Sequence, residues 1–210
     1  MVKRAVIALA FAGGVVTAAA GSWLMWPQSK AEPSAAALMD AVMWNKEPIG
    51  GAFTLIDQDG RPRSDADFRG QLLLVYFGYT YCTDICPTDL QSIAIALDKL
   101  GPAGAGVQPL FITVDPEHDR PEQLKFYVAL YHPRLIGLTG SADAIKRVAR
   151  AYKVYYAKSE PAKQSDRSID HSGFIFLVGR DGQYLGFLPP GTSADRMVDA
   201  IRPYLATAQR

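Results

Sequence analysis

Residues 72–87 read Leu72-Leu73-Leu74-Val75-Tyr76-Phe77-Gly78-Tyr79-Thr80-Tyr81-Cys82-Thr83-Asp84-Ile85-Cys86-Pro87. The first six are apolar with no polar alternation, as in a strand covered on both faces. The run stops at Gly78. Over residues 87–100, Leu90, Ile93, Ala94 and Leu97 recur at helical spacing, so a buried strand feeds a helix. Both cysteines of the chain sit in the corner between the two.

Beyond this corner, residues 110–114 predict a second buried strand. Pro121 opens a helix to about residue 131, at a position that tolerates proline. Ser141 is the expected N-cap of a helix to about residue 152, with Lys146, Arg147 and Arg150 toward its C-terminal end. Residues 154–156 read as a short strand, and 158–170 as a polar loop of 13 positions. A strand at 173–178, a turn at Arg180-Asp181-Gly182, a partner strand at 184–188 and a helix at 193–204 close the chain. Upstream, residues 53–57 form a strand with its turn at Gln58-Asp59-Gly60. Strands alternating with helices, ending in a hairpin and a helix, predict an α/β thioredoxin-like domain over residues 50–210, with a central mixed sheet flanked by helices. In such sheets chemistry collects beyond the carboxyl ends of the central strands.

Ahead of this domain, Lys3 and Arg4 precede 22 uncharged residues, 5–26. As a helix they span about 33 Å at ~1.5 Å per residue, enough for a bilayer core. Trp23 and Trp26 lie at the far end, where amphipathic rings favour the interface. Cations on the near side place the rest of the chain outside the cytoplasm. Residues 1–26 therefore read as a single transmembrane helix. A cleaved signal peptide, ending near Ala18-Ala19-Ala20, is the competing reading. The composition of an organelle transit peptide is missing, which points to a bacterial inner membrane and a periplasmic domain. Residues 27–49 read as a tether. With 22 basic and 21 acidic residues in all, no basic face is available for nucleic acid. Two cysteines are too few for the disulfide framework of a small secreted domain.

The pair is spaced Cys-x-x-x-Cys, which on a helix puts both sulfurs on one face. The helix start favours thiolates. Thiolates are soft ligands for Cu(I) or Zn, and two leave such an ion under-coordinated. Of the three histidines, His118 reads as solvated or locally hydrogen-bonded, and His132 as a surface or capping residue. His171, on the loop entering strand 173–178, is open to either a ligand or a structural role. A structural disulfide is the bland alternative for the cysteines, but it would close too short a loop to constrain the unfolded chain.

Taken together, the chain resembles the SCO/SenC family. The matching stretches are Gly50-Gly51-x-Phe53 with Asp57-x-x-Gly60, Tyr76-Phe77-Gly78-Tyr79-Thr80-x-Cys82-x-Asp84-x-Cys86-Pro87, Thr113-Val114-Asp115-Pro116-Glu117-x-Asp119-x-Pro121, Gly137-Leu138-Thr139-Gly140 and Asp170-His171-Ser172. The chain departs from the family at Thr83, usually Pro, and at Arg120, usually Thr. The resemblance implies a membrane-anchored copper-binding metallochaperone that helps assemble the binuclear copper centre of cytochrome c oxidase. It implies Cys82, Cys86 and His171 as ligands of Cu(I) or Cu(II). The expected partners are the oxidase copper-site subunit, a thioredoxin-like reductant and a further copper chaperone. The alternative is a thiol–disulfide oxidoreductase that reduces the cysteines of the oxidase copper site with the Cys82/Cys86 pair. Asp170 could orient His171, though a solvated carboxylate is the simpler expectation. Asp84 could tune the pair, contact a partner or cap the helix.

Overall fold

The computed structural model describes residues 48–158 and 168–206. The expected membrane helix at 1–26, the tether up to residue 47 and positions 159–167 of the polar loop lie outside the described residues. Among those described, no helix is long and apolar enough to cross a membrane.

The elements run β1 (Thr54–Asp57), β2 (Pro62–Ser64), β3 (Leu72–Gly78), α1 (Ile85–Leu100), β4 (Val107–Thr113), α2 (Pro121–Ala129), β5 (Ile136–Thr139), α3 (Ala142–Ala151), β6 (Tyr156–Lys158), β7 (Ile169–His171), β8 (Ile175–Val178), β9 (Tyr184–Leu188) and α4 (Ala194–Ala206). Seven strands form one mixed sheet in the order β2-β1-β5-β4-β3-β8-β9, while β6 and β7 pair separately as a two-stranded sheet. The strands β3, β4 and β5 are parallel, and β1, β2, β8 and β9 join antiparallel at the flanks.

All seven residues of β3 are buried, because side chains leave a strand alternately and here both faces are covered. Leu73, Val75 and Phe77 enter a core with Phe53, Ile145, Val148, Tyr152 and Phe176. Leu72, Leu74 and Tyr76 face the other way, among Cys86, Leu90, Leu97, Phe111, Met197 and Ile201. Full burial of each such Leu or Phe contributes about 1.5–3 kcal/mol. The α3 helix is capped as expected, its Ser141 Oγ accepting from the Ala144 N–H at 3.2 Å.

Four expectations need correction. β5 has no counterpart among the predicted strands, since four residues containing Gly137 make a weak strand signal. The glycine is there for α2: a Cβ at 137 would lie 3.0 Å from Val128 Cγ1 and 3.1 Å from Leu124 Cβ. β4 begins at Val107, ahead of Pro109, rather than at 110. Pairing with β5 starts only at Leu110, so the missing proline N–H falls where that edge is unpaired. The polar loop is shorter than 158–170, because Lys158, Ile169 and Asp170 belong to the β6–β7 hairpin. The neighbouring strand is accordingly 156–158, not 154–156, and Tyr155 is 65% exposed. Finally, of the surface and capping roles expected for His132, only the second fits. Its side chain is 11% exposed, Nδ1 accepts from the Arg134 N–H at 3.1 Å, and burial lowers its pKa.

Candidate metal centre

The carboxyl end of β3 delivers the chain into the turn that carries Cys82, and α1 starts immediately after it. Cys82 lies on irregular backbone, its N–H donating to the Tyr79 carbonyl at 3.2 Å. Cys86 is the second residue of α1 and is fully buried. Its N–H donates to Cys82 Sγ at 3.4 Å, an orphan helix-start donor turned onto a sulfur. The two cysteines are unbridged.

The third group arrives from a distant stretch. His171 ends β7, pairs across the hairpin with Tyr156, and puts Nε2 3.3 Å from Cys86 Sγ. The hairpin lies outside the main sheet, so it meets the site through side chains. Tyr79 and Tyr76 set their rings edge-on to the imidazole, with centroids 5.9 and 6.3 Å away. The Tyr79 hydroxyl also accepts from the Ile169 N–H at 3.2 Å, tying the start of β7 to the end of β3.

The two sulfurs and a nitrogen of His171 all lie within 4.8 Å of one another. Metal–sulfur and metal–nitrogen bonds of about 2.0–2.3 Å hold donors up to about 4.6 Å apart. A soft ion therefore fits among the three with shifts of a few tenths of an ångström. Two thiolates and one neutral imidazole are the donor set that suits Cu(I).

The two thiols are unlike. Cys82 is half-buried, and its pKa is lowered to about 4, first because the Cys86 thiol donates to it, then through His171 and the backbone N–H groups of Asp84 and Cys86, all against the opposing effect of burial. The pKa of Cys86 is raised, by its hydrogen bond to Cys82 and then by burial. The thiolate is the nucleophile. Iodoacetamide is therefore expected to alkylate Cys82 first in the reduced, metal-free protein. The rate should stay level as pH falls from 8 to 5 and drop only on approaching Cys82's depressed pKa. Peptide mapping after brief alkylation at each pH checks this; preferential labelling of Cys86, or a rate that collapses below pH 8, would contradict it.

Asp170 is exposed, and its register position is on the face of β7 opposite His171. His171 Nδ1 has the Ser172 carbonyl at 3.4 Å instead. Asp84 occupies the N-cap position of α1 without a side-chain capping bond. His118 is locally bonded, its Nδ1 lying 2.9–3.0 Å from both Asp115 carboxylate oxygens. Three contributors had no such expectation attached to them. Gly78 sits against Cys86: a Cβ there would lie 2.9 Å from the sulfur and 2.9 Å from Phe111 Cε2. Tyr79 supplies the ring and hydroxyl described above. Asp89, one turn beyond Cys86 and buried, accepts from the Gly191 N–H at 2.8 Å, and the adjoining Pro190 packs where only Gly173 leaves room. Of these, only the glycine carried a signal, an interruption at the end of a buried strand.

The SCO1/SenC family model matches residues 42–206. A bovine relative, "Protein SCO2 homolog, mitochondrial", is 44% identical over 158 residues, which are 74% of this chain and 59% of the relative. The chain thus spans less than two thirds of the length of that curated relative. Among solved structures, Arabidopsis thaliana ScoI with copper bound has a TM-score of 0.71 at 41% identity, covering 76% of this chain and 99% of that one. Bradyrhizobium japonicum ScoI with copper bound has a TM-score of 0.69 at 36% identity, covering 74% and 99%.

Proposed function

The chain belongs to the SCO1/SenC family, and from that premise we propose that it is a copper metallochaperone that helps assemble the binuclear copper centre of cytochrome c oxidase. Cys82, Cys86 and His171 bind the ion, which is cargo rather than a resident cofactor. The observation that carries the reading is the convergence of two sulfurs and one imidazole nitrogen, from stretches 85 residues apart, within 4.8 Å. The site needs the cysteines reduced and deprotonated. An oxidising compartment therefore calls for a reductant, and a thioredoxin-like protein has the matching chemistry. The oxidase copper-site subunit is the acceptor, and another copper chaperone is the supplier. The charged start and the uncharged run at 5–26 support a single-pass anchor that holds the domain on the periplasmic face of a bacterial inner membrane.

A second reading is favoured by the inequality of the two thiols. In a thiol–disulfide oxidoreductase the Cys82 thiolate attacks a disulfide of the oxidase subunit and forms a mixed disulfide, releasing one thiolate. The Cys86 sulfur, on losing its proton, then displaces the second partner thiolate. The products are a Cys82–Cys86 disulfide and a reduced partner.

Titration with Cu(I) against a colorimetric chelator tests the leading reading. Reduced protein is expected to take one ion per chain, and protein oxidised to the Cys82–Cys86 disulfide none. Equal uptake by both forms, or none by the reduced form, would overturn it.

A further inference from the structure

We propose that Asp119 is a positioning residue of the metal centre, its buried carboxylate holding the Thr80 turn and, through that turn, the pose of the Cys82 sulfur. The proposal rests on the copper-binding reading above. Asp119 is 1% exposed. Its Oδ2 accepts from the Thr80 N–H at 2.9 Å and from the Thr113 hydroxyl at 2.6 Å. Its Oδ1 accepts from the Thr80 hydroxyl. The Thr113 oxygen in turn accepts from the Asp115 N–H at 2.9 Å, so the hydroxyl proton is committed to Asp119. A carboxylate leaves water only when its lone pairs are satisfied, and here three donors converge on one side chain.

The anchorage behind this carboxylate is rigid. Thr113 is the last residue of β4 and is paired with Gly78, the last of β3. The Val114 N–H donates to the Gly78 carbonyl at 2.8 Å and extends the parallel ladder past both strand ends. Asp119 therefore joins the ends of two central strands to the segment that leads into the site. Thr80 lies two residues before Cys82, and the turn closes when the Cys82 N–H meets the Tyr79 carbonyl.

The two cysteines differ in what fixes them. Cys86 is locked by the first turn of α1 and by full burial. Cys82 lies outside any helix or strand and is half-buried. Its sulfur is met by the Cys86 N–H, but its own backbone is held only by the Tyr79–Cys82 turn, so the restraint at Thr80 sets where that turn can go. The bonds from Thr80 are made by the backbone as well as by the hydroxyl, which fixes the direction of the turn and not merely its distance.

Asp119→Ala and Thr80→Val test the assignment in the full chain. Cu(I) affinity is read by chelator competition, and the thiolate-to-Cu(II) charge-transfer band by visible spectroscopy. Amide hydrogen exchange at residues 80–82 and thermal unfolding are read alongside. Asp119→Ala is expected to weaken Cu(I) binding about 10–100-fold, the range for loss of an outer-shell partner. It should also speed exchange at residues 80–82 and shift the Cu(II) band, because the Cys82 sulfur no longer meets the ion at the same angle. Thr80→Val keeps the backbone bond and should shift all three in the same direction by less. A purely structural role would lower the melting temperature and leave the loaded spectrum and the affinity of the folded fraction as in the wild type; that result overturns the proposal. Should Asp119→Ala fail to fold, Thr80→Val decides on the same criteria. A wild-type protein that binds no copper would instead sink the copper reading on which the proposal rests.

Discussion

His171→Ala is expected to remove most of the affinity for Cu(I) while leaving the domain folded. The imidazole is the sole nitrogen among the three donors grouped at the site. Its loss leaves two sulfurs, one of them buried and one half-buried, and a soft ion bound by that pair is open to competing ligands. The fall should exceed the about 10–100-fold that loss of an outer-shell partner costs. Stability has less at stake. The ring makes edge contacts with Tyr76 and Tyr79, each worth about 0.5–1.5 kcal/mol, and β7 adds nothing to the main sheet. Chelator competition, with thermal unfolding alongside, checks both halves. The same variant separates the two proposed activities. A metallochaperone loses its support of oxidase assembly when it loses the ion. If His171→Ala bound no copper yet still restored the oxidase, the Cys82/Cys86 pair would be acting as a reductant.

Gly78→Ala is expected to damage binding and stability together. The backbone at 78 lies outside the left-handed region that favours glycine, so the effect is one of space alone. An added methyl would meet Cys86 Sγ and Phe111 Cε2 at 2.9 Å and Tyr76 Cε1 at 3.2 Å. All three neighbours are fully buried, and Cys86 is fixed in the first turn of α1. Overpacking of this kind costs about 1–3 kcal/mol. Relief requires the sulfur or the Phe111 ring to move, and a displaced sulfur no longer faces Cys82 and His171. Chemical denaturation and Cu(I) competition on the one variant should both fall. Wild-type values in both would show that the β3–α1 corner has more slack than the packing indicates.

The centre of this molecule was readable from its chain because burial and spacing leave strong marks there. The unbroken apolar run at 72–77 belongs to a strand with cores on both sides, and the cysteine pair beside it lies at the strand end where such sheets do chemistry. His171 was legible only with the family resemblance, since nothing local distinguishes a histidine entering a strand as a ligand. The periphery was harder. β5 is four residues long and depends on α2 for its shape, and β6 and β7 hold each other in a pair too short to show a period. Asp119 reads as one more acid in a polar loop; that it is buried follows from where Thr80 and Thr113 end up, which no short window of sequence contains.

On the metallochaperone reading, the separate pairing of β6 and β7 bears on how the ion leaves. Two donors are attached at the junction of the central sheet and α1, whereas the third rides on an outrigger that shares no backbone ladder with that sheet. Swinging His171 away breaks the Tyr79–Ile169 bond and ring contacts, and it also draws on Ile169, which is 5% exposed and packs in the core beneath β3. On the metallochaperone reading, the hairpin's freedom to swing is thus set by how firmly Ile169 and Tyr156 hold to that core, so trimming the Ile169 side chain would loosen the histidine's support without touching a donor.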